Sequence, residues 1–72
     1  MARNRYDVVP ADKWDVTHGG AVLSSHDTKD PAVEAGRKVA QANEPSQLVV
    51  HKQDGTFEYE YTYGDDPFPP KG

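Results

Sequence analysis

The chain has 72 residues, no cysteine, and eight Lys and Arg against twelve Asp and Glu, for a formal charge of −4. That leaves room for one small domain, excludes disulfides and zinc sites built on paired cysteines, and disfavours nucleic-acid binding, which needs surplus cations to meet phosphate. No stretch approaches the ~20 apolar residues of a membrane span, and MARNRYDVVP lacks a signal-peptide core, so a cytoplasmic setting without membrane contact is expected.

RYDVVP and KWDVTH, separated by Pro10, Ala11 and Asp12, read as a hairpin of two Val- and aromatic-rich strands. Pairing Val9 with Lys13 across that loop sends Tyr6, Val8, Trp14 and Val16 to one face and Arg5, Asp7, Asp15 and Thr17 to the other. A loop with an even number of residues would mix the faces. After Gly19 and Gly20, AVLSSHD offers a short extended piece, either a third strand or a loop.

From Thr28 the period becomes helical. Ala32, Val33, Ala35, Gly36, Val39, Ala40 and Asn43 share one side, and Glu34, Lys38 and Gln41 share the other. Thr28 and Asp30 can both cap the start, and Pro31 behind Asp30 favours Asp30; Asn43 and Pro45 mark the end. So small an apolar face lets the helix lie close to whatever it covers.

SQLVVHKQDGTFEYEYTY then alternates about Asp54-Gly55, a strong hairpin signal. Counting outward pairs His51 with Glu58, Val50 with Tyr59, Val49 with Glu60 and Leu48 with Tyr61. Leu48, Val50, Phe57, Tyr59 and Tyr61 therefore share one face, opposite Val49, His51, Glu58 and Glu60. The expected fold over residues 1–63 is α+β: an antiparallel sheet of four or five strands in ββαββ order, with one helix on one face. Strand order stays open. An aromatic-rich last strand at an edge would invite a second copy, unless Glu58 and Glu60 discourage it.

Residues 64–72 form a Pro-rich tail, GDDPFPPKG. Asp66, Pro67, Phe68, Pro69 and Pro70 are the candidate partner-binding residues, because a polyproline segment loses little entropy on docking; the rival reading is a staple packed on its own domain.

No catalytic set, cofactor site or metal site is expected. His18, His26 and His51 have neither HxxxH nor HExxH spacing, and His51 opposite Glu58 suits a surface pair. Turn chemistry explains Asp65 and Asp66 better than acid–base work, Gly19-Gly20 is no phosphate loop, and Ser24, Ser25 and Ser46 lack the context of a nucleophile. Phe57, Tyr59, Tyr61, Trp14 and Tyr6 are expected to form the core beneath the helix. Their rival role is a stacking platform for nucleic acid, which the net charge and the interleaved glutamates oppose.

HDTK, GRKVA, LVVH, the Asp-Gly turn and above all YGDDPFPP before Lys-Gly resemble the bacterial family of domain of unknown function 2188, roughly from Trp14 to Gly72. The resemblance implies a short bacterial protein without an assigned activity, and it carries over no functional residue. Members have good helix formers where this chain has Pro31, which leaves the helix start open. The expectation is a non-enzymatic interaction module with an unknown protein partner or a homodimer; the alternative is a nucleic-acid-binding module using aromatics on the sheet.

Overall fold

The computed structural model describes residues 3–64. The tail candidates Asp66, Pro67, Phe68, Pro69 and Pro70 lie outside the described residues. Three strands, β1 (Asn4–Pro10), β2 (Trp14–His18) and β3 (Ala21–His26), are followed by helix α1 (Lys29–Ala42) and by β4 (Ser46–His51) and β5 (Phe57–Tyr63). They build one five-stranded sheet in the order β3-β2-β1-β4-β5. The element order is thus βββαββ, and the sheet is mixed where an antiparallel ββαββ arrangement was expected.

The extra strand causes the difference. A three-stranded antiparallel meander leaves β3 running along the direction of β1. Helix α1 then carries the chain back across the sheet, and β4 enters beside β1 in parallel, with Tyr6 opposite Leu48 and Val8 opposite Val50. Strand β4 becomes a central strand, which explains its unbroken buried run of Leu48, Val49 and Val50.

The first hairpin closes through Ala11, Asp12 and Lys13, with Pro10 opposite Trp14 and Val9 opposite Asp15. This register lies one pair beyond the expected one, and such a slip preserves parity, so Tyr6, Val8 and Val16 still face the helix and are buried. Gly19 and Gly20 join β2 to β3 in a turn with φ of +60° and +88°, a backbone that glycine adopts without strain. In the β2–β3 pair, Val16 faces Ser24 while Thr17 faces Val22, so Leu23 is the extra residue of a bulge.

The N-cap of α1 is Thr28, in extended backbone and without a side-chain capping bond, where Asp30 was favoured. Pro31 falls at the third helical position instead of the first. Its missing N–H costs nothing there, because the first four N–H groups of a helix have no internal partner. Asn43 closes the helix, donating from Nδ2 to the Val39 carbonyl at 2.8 Å, and Asn4 Nδ2 donates to the Asn43 carbonyl at 2.8 Å. No helix among the described residues is long and apolar enough to cross a membrane.

The core joins Tyr6, Val8, Val16, Leu48 and Val50 of the sheet to Ala32, Val33 and Ala40 of α1. Of the five rings expected beneath the helix, Tyr6 is buried, Trp14 and Tyr61 are half-buried, and Phe57 and Tyr59 are 57% and 37% exposed. Position explains the exposure of Tyr59. The helix lies over the middle of the sheet and touches the edge strand β5 least.

The register of β4 with β5 is as expected from Leu48–Tyr61 to Val50–Tyr59, then a bulge sets His51 opposite Phe57. Glu58 is left as the extra residue, so the expected His51–Glu58 pair does not form, and Phe57 takes the face of His51 instead of sharing that of Leu48, Val50, Tyr59 and Tyr61. Around the turn, Asp54 Oδ1 accepts from Thr56 N at 3.0 Å and Thr56 Oγ1 at 2.7 Å, a side-chain closure that accompanies the bulge.

Candidate functional site

On the sheet face away from α1, the parallel register sets Asp7 opposite Val49, and His51 lies two residues further along β4. Asp7 Oδ1 accepts from Arg5 Nε and Oδ2 from Arg5 Nη2, both at 3.0 Å. His51 Nε2 lies 2.8 Å from Asp7 Oδ2, and His51 Nδ1 lies 3.2 Å from the Gly55 carbonyl. Burial works to raise the Asp7 carboxyl, but the hydrogen bonds from Arg5 and His51 prevail and hold it below the usual carboxylate range. The hydrogen bond to Asp7 likewise raises the Arg5 guanidinium. Both ring nitrogens of His51 already face oxygen acceptors, so neither is presented to a substrate proton. The cluster is a clip across β1 and β4.

The other histidines lie apart from it. His18 stacks on Tyr6 with ring centroids 4.5 Å apart and contacts the Arg5 carbonyl through Nδ1 at 2.9 Å, while His26 Nε2 meets Ser24 Oγ at 3.0 Å. An open cleft of about 560 Å³ separates the β1–β2 loop from the β4–β5 turn, beside Trp14. Three of its four charged side chains are engaged locally: Lys13 pairs with Asp27 at 3.4 Å, and Asp54 accepts from Thr56.

The outer edge of the sheet at β5 has a different character. Tyr59, Tyr61 and Tyr63 alternate along the strand on the helix side, Tyr59 meeting Tyr61 edge-on at 5.5 Å and Tyr61 stacking with Tyr63 at 6.3 Å. Two cations of α1 hold the row. Arg37 places Cζ 5.0 Å from the Tyr61 ring and donates from Nε to the Tyr63 hydroxyl at 3.2 Å, a bond that raises its own pKa. Lys29 Nζ sits 5.5 Å from the Trp14 ring and 5.9 Å from the Tyr59 ring, and it pairs with Glu58. Burial raises the Tyr59 phenol, with a further push from neighbouring Tyr61. The result is an ordered aromatic edge whose first glutamate is matched by a lysine.

A family described as an uncharacterised protein conserved in bacteria (DUF2188) matches residues 6–63. The chain belongs to the DUF2188 family. No curated protein and no solved structure matches it. The matched span runs from Tyr6 in the core to Tyr63 at the end of the tyrosine row, so Asp7 and His51 of the clip and the β5 edge fall within it, while Arg5 stands one residue before it. The terminal YGDDPFPP that carried most of the resemblance lies almost wholly beyond it.

Sequence reasoning missed two features of this DUF2188 protein. The Asp7–His51 contact joins residues 44 apart through a parallel pairing that local pattern does not encode. The cations over the tyrosines did leave a signal. Lys29 and Arg37 stand two helical turns plus a residue apart, close to one face of α1, at a spacing that spans several residues of a neighbouring strand.

Proposed function

We propose that this DUF2188 protein is a non-enzymatic, cytoplasmic module that binds another polypeptide along the outer edge of β5. The observation that carries the reading is the combination of an edge position with large apolar groups left in the open, Phe57 at 57% and Tyr59 at 37% exposure. An edge strand offers its backbone for a further strand, and flanking side chains give such pairing its specificity. The other edge, β3, also exposes Val22 and Leu23, but its bulge at Leu23 breaks the ladder after two residues, whereas β5 runs regularly from Tyr59 to Tyr63.

The test is capture of host protein by the immobilised chain and by a Phe57→Ser/Tyr59→Ser variant. Both side chains are exposed, so the variant keeps its fold. Capture that the variant loses supports the reading, and capture equal in both overturns it.

A second reading, nucleic-acid binding at the tyrosine row, is favoured by Lys29 and Arg37 beside the rings. Against it, Lys29 pairs with Glu58 and Arg37 with Glu34 at 3.6 Å, and the chain carries −4 overall. A gel-shift assay at low salt without retardation of single strands, duplex DNA or RNA removes it.

A further inference from the structure

Strand β5 is compatible with itself in one register above the others. An edge strand pairing antiparallel with its own copy, about a two-fold axis normal to the sheet, brings together residues of the same parity, so each possible register is centred on one residue. Centring on Tyr59 sets Glu58 opposite Glu60 of the second copy, twice. Centring on Glu60 sets the two Glu60 side chains opposite each other. Like charges directly opposite across a ladder are destabilising. Centring on Thr62 avoids both clashes but pairs only Tyr61 to Tyr63 of the strand, with Glu60 set opposite Gly64 beyond its end.

Centring on Tyr61 has neither fault. Tyr61 meets Tyr61, Tyr59 meets Tyr63, and Glu60 meets the uncharged Thr62, over the whole regular stretch from Tyr59 to Tyr63. The two tyrosine rows then join into one ladder on the helix side. Lys29 remains on Glu58 and Arg37 on Tyr61 and Tyr63, so the rings enter the pairing already ordered. Helix α1 approaches β5 least of all strands and leaves its outer side clear.

Resting on the proposed use of this edge, we infer that the partner is a second copy of the chain, joined β5 to β5 in the register centred on Tyr61, to give one ten-stranded sheet with both helices on the same face. Each copy carries −4, so the dimer tightens as salt rises, the opposite of a phosphate-binding surface.

The natural absence of cysteine makes the register directly testable. Glu60→Cys chains mixed with Thr62→Cys chains under mild oxidation form a heterodisulfide, while neither variant cross-links efficiently alone. In sedimentation experiments from micromolar to millimolar concentration, the native 72-residue chain dimerises. Thr62→Glu, which sets Glu60 against a new carboxylate at two symmetric places, weakens the dimer about tenfold, and Thr62→Lys tightens it. Thr62 is exposed, so neither change disturbs the core.

A native chain that stays monomeric at millimolar concentration overturns the inference, and so does cross-linking of either cysteine variant with itself as readily as in the mixture. Those results leave the edge-binding reading standing if Phe57→Ser/Tyr59→Ser still abolishes capture of a host protein. They remove both if capture is unchanged.

Discussion

Gly36 of α1 lies directly above Leu48 of β4: a Cβ at position 36 would stand 2.7 Å from Leu48 Cδ1, 3.1 Å from Cδ2 and 3.3 Å from Val8 Cγ2. The helix reaches the sheet at this point because it has no side chain there. Both Leu48 and Val8 are fully buried, so neither can swing aside into solvent. Gly36→Ala gains up to about 1 kcal/mol of helix propensity but overpacks the core at a cost of about 1–3 kcal/mol. Thermal or urea unfolding of the variant should show a net loss of about 1 kcal/mol, and Gly36→Val a larger one.

Asp7 makes stability sensitive to acid. Its carboxyl titrates lower in the folded chain than in the unfolded one, so on acidification the unfolded chain takes up the proton first. The contribution is complete above the unfolded carboxylate value of about 3.9 and disappears as pH falls through the depressed folded value. Urea unfolding of Asp7→Asn across pH should therefore show a deficit that is constant near neutrality and shrinks under strong acid. A deficit that persists unchanged at the lowest pH would mean that the clip acts through packing alone.

Ser46 is the buried polar residue of the core, and its hydroxyl donates to the Ala40 carbonyl near the end of α1. The bond ties the first residue of β4 to the helix that delivers it. Ser46→Ala leaves that carbonyl accepting from the backbone N–H of Asn43 at 3.2 Å. The expected cost is about 1 kcal/mol, read from the shift in the urea midpoint at constant slope.

Side-chain parity explains why so much of this fold was legible. The first hairpin slipped by one pair without moving Tyr6, Val8 or Val16 off the core face, because such a slip shifts the pairing by an even number. The outer pairs of the second hairpin were readable for the same reason, until the bulge at Glu58. Strand β3 was ambiguous because its own bulge at Leu23 interrupts the alternation that marks a strand. The parallel pairing of β1 with β4 depends on where the helix crosses, a tertiary choice, although the LVV run of β4 was a usable sign of a central strand. Burial of Phe57 and Tyr59 was overestimated for two reasons: the bulge at Glu58 moves Phe57 to the face of His51, and for Tyr59 alternation gives the face while the position of the helix decides whether it is covered.

Tyr59 offers an alkaline counterpart to Asp7. Burial, assisted by Tyr61, holds its phenol above the ordinary value, with Lys29 opposing. The folded chain thus keeps the proton after the unfolded chain has lost it. The resulting stability is complete below the unfolded value of about 10 and is lost as pH rises through the raised folded value. Tyr59→Phe should match the native chain near neutrality and lose less stability above about pH 10, followed by circular dichroism during urea unfolding at each pH. Parallel decline of both proteins at high pH would place the alkaline sensitivity elsewhere, and phenolate absorbance of the native chain would then reveal which tyrosine ionises first.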